Sequence, residues 1–272
     1  RAFQAGPFPF SEPETRAFRD HALFALPHTS LSLHSGATNI GYVWNYTYDD
    51  TPEQGLLDDL GELYADGTDT RGFYVTNGAD WYPTRGDTND WSYGSYGGMD
   101  FTVELTRNKT PVGTDIPDFL SDHRDAVHSI VLAPPGLTGR VSTTNADPLW
   151  AEMTLLLNGV VVSAPFFSNP HSGRFARHID GADTLRITSP GYGSQEHPLT
   201  LDRLTQIALT PDGLVEGDVR PFHAAPGHSV SLGATLGPIV SLKAPGRSAV
   251  VPVANDTLTV PNDLPPGLYS VV

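Results

Sequence analysis

The dipeptide Pro134-Pro135 divides this chain into two kinds of sequence. Proline fixes φ and lacks an N–H, so a proline pair continues neither a helix nor a central strand. Before it, stretches with helical spacing alternate with strand-like ones. After it, short runs rich in Val, Leu, Phe and Thr are separated by Gly, Pro and Asn, among 27 Gly and 24 Pro in 272 residues. That change of texture predicts an α/β region, a mixed sheet with helices, over about residues 1–133. It also predicts all-β sandwich modules beyond, over 134–210 and 211–272.

In the first region, Ser11-Glu12-Pro13-Glu14 has the spacing of a capping box, with Pro13 in the first turn. A helix over about Glu12–Leu26 is expected, then a strand over Thr29–His34. Thr51-Pro52-Glu53 opens a second helix that runs to about Tyr64 and stops at Asp66-Gly67, and Pro117–Val131 reads as a third. Phe101–Leu105 alternates like a strand, and Trp81–Tyr93 reads as a long aromatic and acidic loop. In the second region the expected strands are Gly139–Thr143, Met153–Leu157, Val160–Ser163, Gly173–Arg177 and Asp183–Thr188, with Asn158-Gly159 as a hairpin turn. The third is expected to hold Ser229–Leu232, Ala249–Val253 and Leu258–Val260. It ends in the apolar run Leu268–Val272, which reads as a module cut short.

Composition narrows the chemistry. With no Cys, thiolate nucleophiles, disulfides and Cys-bound metals are excluded, so any metal must rest on His and carboxylates. The net charge is −15 and the only lysines are Lys109 and Lys243, which speaks against a nucleic-acid partner. No apolar run is long enough for a transmembrane helix. The nucleophile-elbow, P-loop and His-Glu-x-x-His patterns do not occur.

Two side chains stand out against their surroundings. His34 closes the apolar run Leu31–Leu33 just before Gly36, and on spacing alone it reads as a structural histidine or a ligand. Glu104 interrupts the otherwise buriable Val103-Glu104-Leu105; it reads either as an edge-strand surface carboxylate or as a buried charge held for catalysis or metal binding. Sequons at Asn45, Asn108 and Asn255 are assigned nothing.

Taken in order, Gly6-Pro7, Ser11–Thr15, Leu31–Gly36, Tyr42–Thr47, Asn77–Pro83, Asp90–Tyr93 and Phe101–Leu105 resemble the zinc metallocarboxypeptidases, and within them the carboxypeptidase N/E (regulatory) subfamily. The resemblance covers about residues 5–130, the C-terminal portion of a catalytic domain. Gly139–Val141, Ser172–Arg177 and Ser189–Tyr192 are similar to the transthyretin-like β-sandwich that follows the catalytic domain in that subfamily. The resemblance implies that His34 is a ligand of a catalytic Zn2+ and that Glu104 is the general acid/base acting on a zinc-activated water. It also implies that Tyr82 closes over the substrate's C-terminal residue and that the backbone at Ser35 lines the cleft.

Asn45 stands where basic-residue-cleaving members carry an acid, and Asn89 where Gln is usual. This implies a polar or weakly basic preference, with Asp49 or Asp87 as substitute counter-ions. The family's His-x-x-Glu ligand pair occurs nowhere in the chain, so the remaining His and Glu, with the arginines that grip the substrate, are expected upstream of Arg1. The fragment alone is therefore expected to be inactive. The expected partners are peptide or protein C-termini, and the expected location is secreted or periplasmic. The alternative is a non-catalytic peptide-binding or adhesion protein built on a carboxypeptidase-like platform.

Overall fold

The structure is a computed structural model that describes residues 6, 9–189, 192–199, 204–210, 229–231, 239–244, 247–254, 257–261 and 270–271. Of the positions singled out in the sequence, Pro7, Pro190, Gly191, Leu232, Asn255, Asp256, Leu268, Tyr269 and Val272 lie outside the described residues.

The first region runs α1 (Pro13–Ala25), β1 (Thr29–His34), β2 (Asn39–Tyr42), α2 (Gln54–Ala65), β3 (Tyr74–Asn77), α3 (Gly78–Trp81), α4 (Thr88–Tyr96), β4 (Met99–Glu104) and α5 (Ile116–Val131). Its sheet has the order β1-β4-β2-β3. β1 and β4 are parallel, β2 is antiparallel to β4, and β3 is parallel to β2. One face of α2, through Leu57, Leu60 and Tyr64, and one face of α5, through Ala126 and Ile130, share a core with Ile40, Phe101 and Val103. The spacing of those helical positions, three or four apart, is what lets each helix bury a single stripe.

α1 ends where Leu26 takes a left-handed φ of 46° and Pro27 follows. Its start differs from the expected capping box. Pro13 takes the first helical position, so the cap falls on Glu12, which makes no side-chain cap bond, and the Ser11 hydroxyl donates to the Glu12 carboxylate instead. The expected Trp81–Tyr93 loop is also corrected. Trp81 closes α3 and Thr88 opens α4, leaving only Tyr82–Asp87 as connection. The short alternation of β2 and β3 gave no signal strong enough to place them from sequence.

Beyond Pro135 the elements among the described residues are strands, beginning with β5 (Leu137–Thr143), β6 (Glu152–Leu157), β7 (Val160–Val161), β8 (Phe166–Phe167), β9 (Arg174–Arg177), β10 (Thr184–Thr188), β11 (Gln195–Pro198) and β12 (Leu204–Leu209). They form one sheet of order β11-β10-β6-β7, with β8 also on β6, and a second of order β12-β5-β9. Val141, Leu155, Phe175, Ile187 and Ile207 from the two sheets meet in one core. Asn158 and Gly159 both have positive φ, 52° and 79°, as a two-residue hairpin turn between right-twisted strands requires. A further sheet joins β13 (Ser229–Ser231), β14 (Ile239–Ala244), β15 (Arg247–Ala254), β16 (Thr257–Thr259) and β17 (Ser270–Val271) in the order β13-β16-β15-β14-β17.

The α/β region and the two-sheet region are joined by a buried ion pair. Arg177, at the end of β9 and 1% exposed, meets Glu53 Oε2 at 2.5 Å. The same carboxylate oxygen accepts from the Tyr93 hydroxyl at 2.8 Å and from the Ala164 N–H at 2.9 Å, and Arg177 also donates to the Gly97 carbonyl. Around this pair, Ala22, Leu23 and Tyr96 pack with Phe167, and Trp150 stacks on Phe167 with ring planes 5° apart. Removing one member of a buried ion pair leaves a desolvated charge, which costs about 3–5 kcal/mol. Urea unfolding of Glu53→Leu should therefore show a loss of about that size, and the double variant Glu53→Leu/Arg177→Met should recover most of it.

Candidate active site at the strand ends

β1 and β4 alternate polar and apolar residues in phase. In parallel register, Ser30 lies beside Asp100, Ser32 beside Thr102 and His34 beside Glu104, while Leu31 lies beside Phe101 and Leu33 beside Val103. Side chains alternate faces along a strand, so each face of this strand pair carries one character. The apolar row packs in the core under α2 and α5 through Leu31, Phe101 and Val103. The polar row runs along the opposite face and ends, at the carboxyl ends of both strands, in His34 and Glu104. Open α/β sheets place their ligand crevices outside those ends.

Glu104 sits on an interior strand and is 8% exposed, which removes the surface-carboxylate reading. Its Oε2 is buried and has no hydrogen-bond partner. An unsatisfied buried carboxylate oxygen is costly, and such atoms concentrate where a ligand or a reacting group supplies the missing bond. Gly36, with a φ of 134°, lies close by: a Cβ built on it would fall 3.9 Å from Oε2, at ordinary contact distance. His34 is exposed at the end of β1. Its backbone carbonyl accepts from the Leu105 N–H at 3.0 Å, which fixes the strand end against β4. Ser35 is half-buried and its hydroxyl donates to the Lys109 carbonyl at 2.9 Å, so the 106–110 loop is tied to the same corner.

The other expected site residues form a second, linked group. Asn45 donates through its backbone N–H and its side-chain amide to Asp90 Oδ1, at 2.8 and 3.2 Å. Asn45 also packs on the start of α3, where only glycine fits: a Cβ on Gly78 would fall 1.8 Å from Asn45 Oδ1. Tyr82, 52% exposed, leaves α3 with its N–H on the Gly78 carbonyl and its ring edge-on to Trp81. Asn89 is different in kind. It is 3% exposed, donates to the Asp100 carbonyl and accepts from Thr102 Oγ1, so it braces α4 against the polar row two positions before Glu104. His34, Ser35 and Glu104 thus come together at the strand ends, and Asn45 and Tyr82 meet through α3. Asn89 is bonded to β4, between Asp100 and Thr102.

Two carboxylates in this neighbourhood were not foreseen in the sequence. Asp90 is pushed up from its ordinary range by desolvation, against the bonds from Asn45, and its Oδ2 is unpartnered. Asp100 is also pushed up by burial, although Ser30 donates to its Oδ1. For Asp100 the signal was the phase of the alternation on β4: an acid in a polar row beneath a covering helix is buried, whereas the same acid on an open sheet face is not. Among the described residues no group of three His, Asp or Glu side chains could hold a metal ion.

Against known proteins, the first region has clear relatives. Residues 1–126 match the family model for zinc carboxypeptidase, Peptidase M14. Carboxypeptidase SOL1 of Arabidopsis thaliana is 27% identical over 213 residues, covering 69% of this chain and 42% of the relative. The Carboxypeptidase N catalytic chain of Homo sapiens is 24% identical over 216 residues, covering 70% and 46%. Carboxypeptidase E of Caenorhabditis elegans is 26% identical over 178 residues, covering 54% and 38%. The chain thus spans less than half the length of these relatives. Among solved structures, bovine thrombin-activatable fibrinolysis inhibitor in complex with tick carboxypeptidase inhibitor aligns over 47% of both chains, at 22% identity and a TM-score of 0.44. Residues 1–126 are thus similar to the zinc carboxypeptidase family, and they make up most of the α/β region.

The raised Asp100 carboxyl has a stability consequence. The native state holds that proton to higher pH than the unfolded chain does, so its contribution is fully present below the unfolded pKa and is lost as pH rises through the native one. Asp100→Asn removes the desolvated charge. Its urea midpoint should exceed that of the parent at pH 7, with the difference shrinking toward about pH 4.

Proposed function

We propose that this chain is the His34- and Glu104-bearing portion of a zinc metallocarboxypeptidase that removes the C-terminal residue of peptides or proteins. The observation that carries the reading is the unpartnered, buried Oε2 of Glu104, set in register beside an exposed His34 at the carboxyl ends of two parallel strands. A carboxylate so placed accepts a proton from an attacking water at Oε2 and passes it to the departing amine, the exchange that general acid–base catalysis of amide hydrolysis requires. Tyr82, exposed on the Tyr82–Asp87 connection, swings over the bound C-terminal residue and limits access of bulk water. Asn45 and the Ser35 backbone line the cleft, with Asn89 bracing it.

The family implies Zn2+, but the described residues do not by themselves fit it. Catalytic zinc takes three protein ligands, and here only His34 is offered, with no three-member His, Asp or Glu group around it. In this reading the other His and Glu come from residues outside these 272. Two features support it. β1 pairs only with β4 among the described residues, leaving an open strand edge. Beside that edge, a cavity of about 620 Å³ is lined by Leu33, His34, Leu105, Ile116, Phe119 and Leu120, a surface that suits further sheet rather than water. The subfamily, the transthyretin-like nature of the two-sheet region and a secreted or periplasmic location belong to the same reading. No helix among the described residues is long and apolar enough to cross a membrane.

The missing ligand group also favours a second reading, a non-catalytic peptide-binding platform. One experiment separates them. In the natural protein with whatever chain flanks these residues, Glu104→Gln should lower kcat for peptide hydrolysis by about 10²–10⁴ with zinc content unchanged. Hydrolysis that survives the substitution, or zinc that leaves with it, sinks the assignment of Glu104. A flanked protein that neither binds zinc nor hydrolyses peptides establishes the platform.

A further inference from the structure

Two imidazoles meet where the α/β region touches the two-sheet region. His28 lies in the turn before β1 and His178 follows β9, with ring centroids 5.2 Å apart. His178 is 5% exposed and its Nε2 is 3.0 Å from Thr29 Oγ1. His28 is half-buried, and its carbonyl accepts from the Met99 N–H. The next residue along from His178 is Arg177, the guanidinium of the buried ion pair, so three groups able to carry positive charge share one seam.

The acids near the seam pair with neither imidazole, although Glu53 Oε1 and Asp100 Oδ2 are themselves unpartnered. Glu53 Oε2 is bonded to Arg177, Tyr93 and Ala164. Asp100, next to Met99 on β4, is buried and bonded to Ser30. Asp180, two residues beyond His178, is exposed. Among the described residues neither imidazole has a carboxylate within ion-pairing distance. The remaining histidine at the seam, His171, stacks against Phe24 at 5.4 Å and is exposed.

We propose that His28 and His178 form an acid-sensitive latch: neutral, they close the seam between the two regions, and their protonation loosens it. In the closed seam both rings resist protonation. Desolvation is the main cause for each, followed for His178 by His28 and Arg177, which together pull it down to about 4, and for His28 by Arg177. Opening the seam returns both rings toward their ordinary value near 6.5. The open state therefore binds more protons between about pH 6.5 and pH 4, and closure weakens as pH falls through that window. Each proton taken up on opening shifts the opening equilibrium about tenfold per pH unit, so the pair shifts it by up to about a hundredfold. This latch is independent of whether Glu104 catalyses hydrolysis.

The test uses this chain and the Ala164 amide, whose hydrogen bond to Glu53 crosses the seam. Its hydrogen-exchange protection, corrected for intrinsic exchange, should fall about five- to thirtyfold between pH 6.5 and pH 5.5. His28→Gln/His178→Gln, whose amides keep polar contact without titrating, should flatten that slope. An equal slope in the variant assigns the opening to other groups and overturns the proposal. Imidazole NMR titration of the unsubstituted protein decides the matter even if the variant does not fold. Rings that titrate near 6.5 with Ala164 still protected overturn it; rings that titrate together with the loss of protection uphold it.

Discussion

The Glu53–Arg177 ion pair sets the terms for everything around it. Two charges taken out of water cost several kcal/mol each, by the order of magnitude for real proteins, unless geometry and further hydrogen bonds compensate. Here one carboxylate oxygen gathers a guanidinium, a phenol and a backbone amide. These come from β9, from α4 and from the segment before β8, so α2, α4 and the two-sheet region are held in a single relative placement. The helix start is adapted to this duty. Glu53 occupies the N-cap position of α2 but makes no capping bond, because its side chain is spent on Arg177. A local stabilisation is given up for a long-range one.

That fixed placement also shapes the cleft. α4 is pinned through Tyr93 at its C-terminal half and through Asn89 at its start, and Asn89 in turn braces the polar row of β4. Asp90, the next residue, holds the loop that carries Asn45. The path from the ion pair to the strand ends therefore runs through one short helix. Two carboxylates lie along it without counter-ions, the half-buried Asp90 and the buried Asp100, and both hold their protons more tightly than a free carboxyl would.

Much of this was legible in the sequence. The alternation in Thr29–His34 and Phe101–Leu105 gave two strands, and the carboxylate at 104, placed among residues fit for burial, stood out as a charge that the fold then buried. Asn158-Gly159 gave its hairpin because few dipeptides accept two positive φ values. What local pattern could not give was partnership. Ser11 looked like a cap until Pro13 took the first helical position. Trp81–Tyr93 looked like a loop because its helices are short and aromatic, and are stabilised by tertiary contacts such as the edge-on packing of Trp44 on Tyr93. Neither Glu53 nor Arg177 announced a mate, since the two are 124 residues apart. The resemblance supplied roles for His34, Tyr82 and Asn45 that spacing alone left open. The fold then showed the bonds by which Asn89 braces α4 against β4.

The parallel pairing of β12 with β5 has a consequence for the order in which a nascent chain can mature. Leu204 aligns with Thr138 and Leu209 with Thr143, so the last strand of this core joins the first. Ile207 and Leu209 complete a core whose other members, from Leu137 onward, leave the ribosome earlier. Until β12 is synthesised, β5 has only β9 as a neighbour and presents an open edge and half-covered apolar side chains. Non-local closure of this kind is slow. During translation the two-sheet region is thus the stage most in need of protection from association with other chains, since β1 to β4, which bear Glu104, precede it in the chain.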